Sequence, residues 1–299
     1  MEDQEKIEIL PVKLLDQNRS QVNALKQLAR ALGLEFGWHY LLDITWILNQ
    51  LGRVQGKRVM DAGAGTGLMQ WHLAKEGAEV LSVDRLSRAN LPLRFRTSFH
   101  VRGLRNADLL PSRQVFRNSF AAKGKLSVKV ITQARQVLEA VPYRAGHLRR
   151  GPGRILIYNQ DLKHLTDIED NTLDAVVAVS ALEHNTPEGL EQVVAELMRV
   201  IKPGGKLIAT LCAGRDQDWW HAASSGWCYT DASLRRIFCL PAGLPSNYDR
   251  YDELFSALRN CAELRDNLAR FYSRSGDNGM PWGKWDPQYQ PVGVLKVKM

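Results

Sequence analysis

Two helical patterns open the chain. Apolar residues between positions 22 and 32 recur at intervals of three and four residues, and Gly33 supplies a stop signal. A second apolar helical pattern runs from about Trp38 to Leu51 and ends at Gly52. The first fifty residues are therefore predicted to be helical, and we expect residues 1–52 to form an N-terminal helical cap.

Between residues 57 and 84 the periodicity changes to that of a strand–helix–strand unit. Short apolar strands are predicted at 57–61 and 79–84, and a helix is predicted over 68–77. A glycine cluster separates the first strand from the helix. Such a unit implies a parallel sheet, because the helix returns the chain to the same edge before the second strand begins.

The alternation resumes after residue 154. Further strands are predicted at 154–158, 173–179, 206–211 and 292–297, the last as a C-terminal edge strand. Between them, an apolar stripe predicts a helix over 187–201, and residues 251–271 also have a helical pattern. The stretch 214–245 has no clear pattern. These elements predict an α/β protein with a Rossmann-like, doubly wound, mostly parallel sheet and an antiparallel C-terminal strand.

Size and composition agree with one such domain. The 299 residues, 44% hydrophobic and 24% charged, are typical of a globular protein. We expect residues 53–299 to form the Rossmann-like domain. The acidic start, Met1 to Glu5, lacks the basic and apolar parts of a secretory signal, and the four cysteines lack metal-site spacing. A cytoplasmic location, no transmembrane segment and no metal are expected.

Residues 85–154 stand out by length and charge. A minimal core needs only one helix and short loops there. The segment holds sixteen Lys and Arg but only Asp108 and Glu139 as acids, within a chain of net charge +8, so the remainder is acidic. We predict a basic inserted subdomain over or beside the active site. It would suit an anionic acceptor, RNA or peripheral contact with an anionic membrane, although a merely solvated face is the alternative.

The strongest chemical signal is the turn Asp-Ala-Gly-Ala-Gly-Thr-Gly at 61–67, between a predicted strand and a predicted helix. Its glycines allow the backbone to turn tightly and to approach a ligand. A dinucleotide-binding turn reads GxGxxG, whereas here the third glycine comes one residue early. The turn has no basic residue, and Asp61 would suit a cationic ligand. A nicotinamide dinucleotide is the alternative, because Asp84 would also suit its ribose.

This turn resembles the first motif of the class I S-adenosylmethionine-dependent methyltransferases, which has the form D/E-x-G-x-G-x-G. The resemblance continues in chain order at Asp84, at Asp161-Leu162, and at 173–184 and 201–207, so that it covers about half of the chain. It implies a Rossmann-like methyltransferase with S-adenosylmethionine as the methyl donor.

The resemblance also implies a set of cofactor-binding residues. Asp84 looks like the acid that grips both ribose hydroxyls, and Asp161 looks like the residue that meets the adenine amino group. The expected set is Asp61, Ala62, Gly63, Gly65, Gly67, Asp84, Arg85, Asp161, Leu162 and Ser180. Taken singly, Asp84 could instead be a helix N-cap and Asp161 a turn residue.

His184 is the leading candidate for a catalytic base. It follows the fourth strand, where ligands of open α/β sheets bind, and the ordinary histidine pKa of about 6.5 suits proton transfer near neutral pH. Glu183 beside it is expected to touch the cofactor or the acceptor, and His221 is a weaker second base. In the resembled family the protein chiefly positions the acceptor and excludes water.

The acceptor is the open question at this stage. Trp219 and Trp220 could stack on a sugar or a planar ring, or belong to the core, and residues 38–40 are a candidate lid. We expect methyl transfer to an O or N atom of a small-molecule or glycan-linked acceptor, anionic or sugar-like. An RNA methyltransferase and a non-catalytic cofactor-binding protein are the alternatives. Ser-Ala-Leu-Glu at 180–183, in place of Asn-Pro-Pro-aromatic, counts against a base-amino methyltransferase.

Overall fold

The computed structural model describes residues 5–121, 152–268, 280 and 284–299. The strands are β1 (Lys6–Ile9), β2 (Arg58–Ala62), β3 (Glu79–Asp84), β4 (His100–Gly103), β5 (Arg154–Asn159), β6 (Leu173–Val179), β7 (Ile201–Ala213), β8 (Trp219–His221), β9 (Gly226–Tyr229) and β10 (Gln290–Val297). The helices are α1 (Leu14–Gln17), α2 (Arg19–Leu32), α3 (Tyr40–Leu51), α4 (Leu68–Lys75), α5 (Leu93–Ser98), α6 (Ser112–Ala121), α7 (Pro187–Val200), α8 (Asp231–Ile237), α9 (Tyr251–Arg259) and α10 (Ala262–Asp266).

The sheet confirms the predicted fold class. Its order is β1-β10-β7-β6-β2-β3-β5-β4, and the strands from β7 to β4 run parallel to one another. Both β10 and β1 run antiparallel to their neighbours. The chain moves outward from β2 in one direction through β3 and β5, and in the other through β6 and β7. A crevice therefore opens at the carboxyl ends of β2 and β6, where open α/β sheets bind ligands.

Apolar side chains cover both faces of this sheet. Successive strand residues point to opposite faces, so Val177 packs with α2, α3 and α4 while Val176 packs with α7, α8 and α9. Both valines are fully buried. Each such side chain contributes roughly 1.5–3 kcal/mol to the hydrophobic free energy of folding. The near-continuous apolar pattern of β6 arises because both of its faces are covered.

Several predicted elements need correction at the chain ends. The prediction of an edge strand at 292–297 was wrong, because β1 pairs outside β10, with Lys6 opposite Leu295. The first fifty residues are not all helical, since they begin with that strand. The helix predicted over 251–271 is interrupted, with α9 ending at Arg259 and α10 beginning at Ala262. Its last residues, 269–271, lie outside the described part of the chain.

The basic segment contributes directly to the sheet. Its strand β4 pairs in parallel with β5, and α5 and α6 flank that strand in the chain. Residues 122–151 lie outside the described residues, so the inserted subdomain at 85–154 stays a prediction, as do the boundaries 1–52 and 53–299. Within the described ranges, none of the helices combines the length and apolarity that a bilayer crossing requires.

Candidate active site

A cavity of about 650 Å³ lies at the carboxyl ends of the parallel strands. This volume falls within the range of small-molecule sites. The loops after β2, β3, β5 and β6 line it, together with the beginning of α3. It brings together Asp61, Gly63, Gly65, Gly67, Asp84, Arg85, Asp161, Leu162, Ser180 and His184. Two of the predicted site residues, Ala62 and Glu183, are buried behind that lining.

The glycine turn is closed over β3 and pressed against the end of β6. The amides of Gly63 and Ala64 both donate to the Val83 carbonyl at 2.9 Å. Gly63 has a φ of 73°, and a Cβ at this position would lie 2.4 Å from the Cβ of Ala181. Only glycine fits both the left-handed backbone and this contact, which leaves the turn open on its cavity side.

A buried glutamine holds the turn from below. Gln70 Nε2 donates to the carbonyl oxygens of Ala64 and Gly65 at 3.3 Å each and of Gly67 at 3.2 Å. Its Oε1 accepts the hydroxyl proton of Ser82 at 2.8 Å. This role of Gln70 was not predicted from the sequence, although an amide on the buried face of α4 was a signal for it.

Asp61 is a buried acid that faces the cavity. It is 2% exposed, and among the described residues its Oδ2 has no hydrogen-bond partner. Burial raises the pKa of this carboxyl to about 7; the nearby Arg88 opposes that rise and Asp84 adds to it. An unpartnered carboxylate in this position favours a positively charged ligand group.

Asp84 braces the turn and also faces the cavity. Its Oδ2 accepts the Gly65 amide and its Oδ1 accepts the Leu86 amide, both at 2.8 Å. A carboxylate has about four lone-pair sites, so acceptor capacity remains for a vicinal diol. Asp84 is not a helix N-cap, because α5 begins only at Leu93. Asp161 does form a turn, accepting the Lys163 amide at 2.9 Å, and it lies exposed at the cavity edge.

Ser180 is strained, and Glu183 holds it. The φ of Ser180 is 44°, a left-handed value that is uncommon outside glycine. Its amide donates to both oxygens of Thr210 at 3.1 Å, and its hydroxyl donates to Glu183. Burial raises the pKa of the Glu183 carboxyl. Glu183 thus reaches the cavity only through Ser180.

His184 lines the cavity in a defined tautomer. Its Nδ1 lies 2.8 Å from the carbonyl oxygen of Ser225. A carbonyl can only accept, so Nδ1 carries the proton and Nε2 of the neutral ring keeps its lone pair. Ser225 has a φ of 53° in the turn between β8 and β9, and it lines the same cavity. Ser225 was not predicted as a site residue, because residues 214–245 have no clear pattern of apolar positions.

The other proposed site residues lie elsewhere. His221 is buried, with Nδ1 2.7 Å from the Ser224 hydroxyl and Nε2 2.9 Å from Gln288 Oε1. Neither Trp219 nor Trp220 lines the cavity. Within the suggested lid at 38–40, Tyr40 lines the cavity, whereas the other two side chains are buried in the core. Among the described residues, no cluster of three or more side chains is suited to a metal ion.

The chain resembles known methyltransferases in sequence and in fold. Residues 116–209 match the family model described as a methyltransferase domain. This match covers β5, β6, α7 and most of β7, and it begins after the glycine turn. No curated protein sequence matches the chain.

Three solved structures illustrate the likeness in fold. The 1,6-didemethyltoxoflavin-N1-methyltransferase of Burkholderia thailandensis is 12% identical, with 96% of this chain and 86% of that chain covered and a TM-score of 0.44. Phosphoethanolamine N-methyltransferase 2 of Haemonchus contortus is 15% identical, with 95% of this chain and 59% of that chain covered and a TM-score of 0.48. Magnesium protoporphyrin IX methyltransferase of Synechocystis PCC 6803 is 14% identical, with 96% of this chain and 94% of that chain covered and a TM-score of 0.41. These similarities are too low to bear on the acceptor.

The residues of the cavity fit S-adenosylmethionine. Asp61 offers one unpartnered carboxyl oxygen to a cationic group, Asp84 offers acceptors to a ribose, and the turn at Gly63 has no side chain in the way. The GxGxG spacing, the strand order and the family match agree with one another. Residues 116–209 are thus similar to a methyltransferase domain, and they belong to a Rossmann-like sheet whose cavity suits S-adenosylmethionine as a methyl donor.

Proposed function

We propose that the protein transfers a methyl group to an O or N atom of a small-molecule or glycan-linked acceptor, anionic or sugar-like, with His184 as the base. The observation that carries this proposal is the His184–Ser225 contact of 2.8 Å, which leaves Nε2 as the acceptor on the cavity that holds the glycine turn. An uncharged hydroxyl is a poor nucleophile until its proton is removed.

Each part of the cavity has a role in this proposal. Asp61, Asp84 and Asp161 hold the donor, whose bound sulfonium supplies an activated methyl group. His184 takes the acceptor proton at Nε2, and the Ser225 carbonyl stabilises the ring through Nδ1. Tyr40 and Ile44, at the beginning of α3, close the apolar side and exclude water.

Three arginines of the basic segment are engaged within the fold. Arg96 donates to the carbonyl oxygens of Leu91, Ala89 and Leu110. Arg105 binds Asp108, and Arg88 is buried. These three arginines hold the fold together, so they are not available to a polyanionic partner; the electrostatic case for RNA depends on other basic residues of the segment, such as the exposed Arg102, Arg113 and Arg117.

Replacing His184 tests the proposed base. His184→Gln should lower turnover about 100-fold or more, while the Kd for S-adenosylmethionine stays unchanged, because general-base catalysis commonly contributes that much. Turnover is measured as release of S-adenosylhomocysteine with each acceptor that an activity screen identifies, and methylation is verified by mass spectrometry.

The matched control is His100→Gln, which removes an exposed histidine on β4 that does not line the cavity. It should keep both turnover and donor binding. Unchanged turnover in His184→Gln would contradict the base assignment. If wild type and His100→Gln both transferred methyl groups only to RNA, the proposal of a small-molecule or glycan-linked acceptor would be contradicted.

A further inference from the structure

Arg88 is a buried arginine beside the cavity, in the loop between β3 and α5. Its residue exposure is 6%. One guanidinium nitrogen, Nη1, donates to the Gly65 carbonyl at 3.3 Å and to the Ser82 hydroxyl. The other, Nη2, donates to the carbonyl oxygens of Ser82 at 2.7 Å and of Tyr158 at 3.1 Å. Arg88 therefore joins β3, β5 and the glycine turn.

None of these four acceptors carries a charge. In the part of the chain that the structure describes, Arg88 also forms no salt bridge. A buried guanidinium without a charged partner is costly, because it has lost its hydration. The negative charges that offset this cost are Asp61, Asp84 and Asp108, and the first two face the cavity.

A hydrogen-bond chain completes the arrangement. Ser82 accepts from Arg88 and donates to Gln70, whose amide binds three carbonyls of the turn. The guanidinium thus contacts the turn twice, directly at Gly65 and indirectly through Ser82 and Gln70. The Arg88 side chain therefore both holds the glycine turn in place and supplies a positive charge beside it.

We propose that Arg88 is a positioning residue of the donor site, which fixes the glycine turn and, as a buried counter-ion, keeps Asp61 ionised to receive the cationic donor. The inference rests on the proposed role of Asp61 in donor binding. Arg88 would touch neither donor nor acceptor, since it does not line the cavity.

The surroundings of Asp61 define what pH should do. The charged groups that act on it are Arg88, from the loop after β3, and Asp84, from the end of β3. The helix α4 adds a backbone hydrogen bond from Gln70, which favours the ionised carboxyl. The cavity's remaining titratable groups are Glu35, Tyr40, Arg85, Asp161 and His184. Donor affinity should rise with pH as Asp61 loses its proton near pH 7, and removal of the Arg88 charge should move this rise to higher pH.

The test is calorimetric binding of S-adenosylmethionine from pH 5.5 to 9, the span chosen to bracket a midpoint of about 7. Wild type, Arg88→Met and Arg88→Lys are each compared with Asp61→Asn, which corrects for titration of the donor itself. Arg88→Met should bind S-adenosylmethionine more weakly at every pH, because its contacts to the turn are lost, and its midpoint should move to higher pH; a shift of one pKa unit by itself weakens binding roughly fivefold at pH 7. Arg88→Lys keeps the charge and should keep the wild-type midpoint.

Arg96→Met is the matched control. Arg96 is also a partly buried arginine that binds backbone carbonyls, but it does not line the cavity and does not contact the turn. Arg96→Met should keep the wild-type midpoint of the pH dependence of S-adenosylmethionine binding, even if its melting temperature changes. If Arg88→Met does not fold, Arg88→Lys and Ser82→Ala carry the test, with weaker binding at every pH expected for both.

Failure of the donor site and failure of the Arg88 proposal give different binding results. A wild-type protein that does not bind S-adenosylmethionine overturns the donor site itself. A wild type that binds, with the same midpoint in Arg88→Met or with no weakening in Arg88→Lys and Ser82→Ala, overturns the role of Arg88 alone.

Discussion

Four residues with positive φ, Gly63, Gly65, Ser180 and Ser225, line the cavity. A non-glycine residue in this region costs on the order of 1–3 kcal/mol, and it persists only where its surroundings enforce it. Ser180 is enforced by Thr210 and Glu183, and Ser225 presents its carbonyl to His184. The strain at both serines is thus located in the lining of the cavity.

At Gly63 the strain becomes a prediction about binding. Gly63→Ala should destabilise the protein and weaken S-adenosylmethionine binding at least tenfold, because the new methyl group overlaps Ala181 at 2.4 Å in addition to its unfavourable φ. Calorimetry gives the binding constant, and chemical denaturation gives the free energy of unfolding.

Gly56→Ala separates the two effects. Gly56 has a φ of 75° but nothing within 4 Å of its Cβ position, so only the cost of the backbone conformation remains. This variant should lose about 1–2 kcal/mol of stability and keep donor binding. Equal losses of binding in Gly56→Ala and Gly63→Ala would show that contact with Ala181 is unimportant.

Residues near one turn were accessible to sequence analysis, and distant partners were not. Asp61, Gly63 and Gly65 stand together in the chain, and the ends of parallel strands bring Asp84 and Asp161 to the same cavity. Arg88 and Ser225 act through partners that only the folded sheet brings near. No local pattern indicates such contacts.

At the scale of elements, α3 is fixed to the sheet by one large side chain. Trp46 is fully buried, and its Nε1 donates to Glu8 Oε2 of β1 at 3.0 Å. Gly293 of β10 lies beneath the indole, where a Cβ would come within 2.5 Å of the ring. This contact joins α3, β1 and β10, and α3 also carries the cavity residues Tyr40 and Ile44.

Overpacking this contact should destabilise the fold. Gly293→Ala is expected to cost about 1–3 kcal/mol, because neither the strand nor the indole has room to move. Thermal and chemical unfolding measure the effect. Gly243→Ala, in an exposed loop with nothing within 4 Å, is the control and should change stability little. Equal stability of the two variants would mean that α3 can move away from the sheet.

The long and strongly patterned elements were predicted, and the short ones were not. Strands β2, β3, β5 and β6 have apolar runs that indicate a covered sheet. By contrast, β1 and β4 have four residues each and β8 has three, too few for a period to be visible. Their pairing depends on residues far away in the chain, as when β1 joins β10.

For the whole molecule, the donor site lowers stability at neutral pH. The folded Asp61 has a pKa of about 7, above its value in an unfolded chain. The native state therefore binds more protons, and stability falls as pH rises from the unfolded value towards 7. Between pH 5 and 7, wild type should lose roughly 2–3 kcal/mol relative to Asp61→Asn, as measured by denaturant unfolding.

Asp174→Asn serves as the comparison. Asp174 accepts from the Arg58 amide and Lys202, which hold the pKa of that carboxyl below its usual value. The stability that the ionised Asp174 contributes is present above the pKa of this carboxyl in the unfolded chain, and it is lost only as the pH falls through the lower pKa of the folded state. The difference between wild type and this variant should therefore be flat from pH 5 to 7. A flat difference for Asp61→Asn as well would contradict the raised pKa of the buried Asp61 carboxyl.

The most direct test of the donor assignment is calorimetric titration of the purified protein with S-adenosylmethionine and, separately, with NAD. The wild type and Asp84→Ala are compared. We expect micromolar binding of S-adenosylmethionine, lost in the variant, and no binding of NAD. Binding of NAD alone, or equal binding of S-adenosylmethionine by Asp84→Ala, would contradict the account of this site.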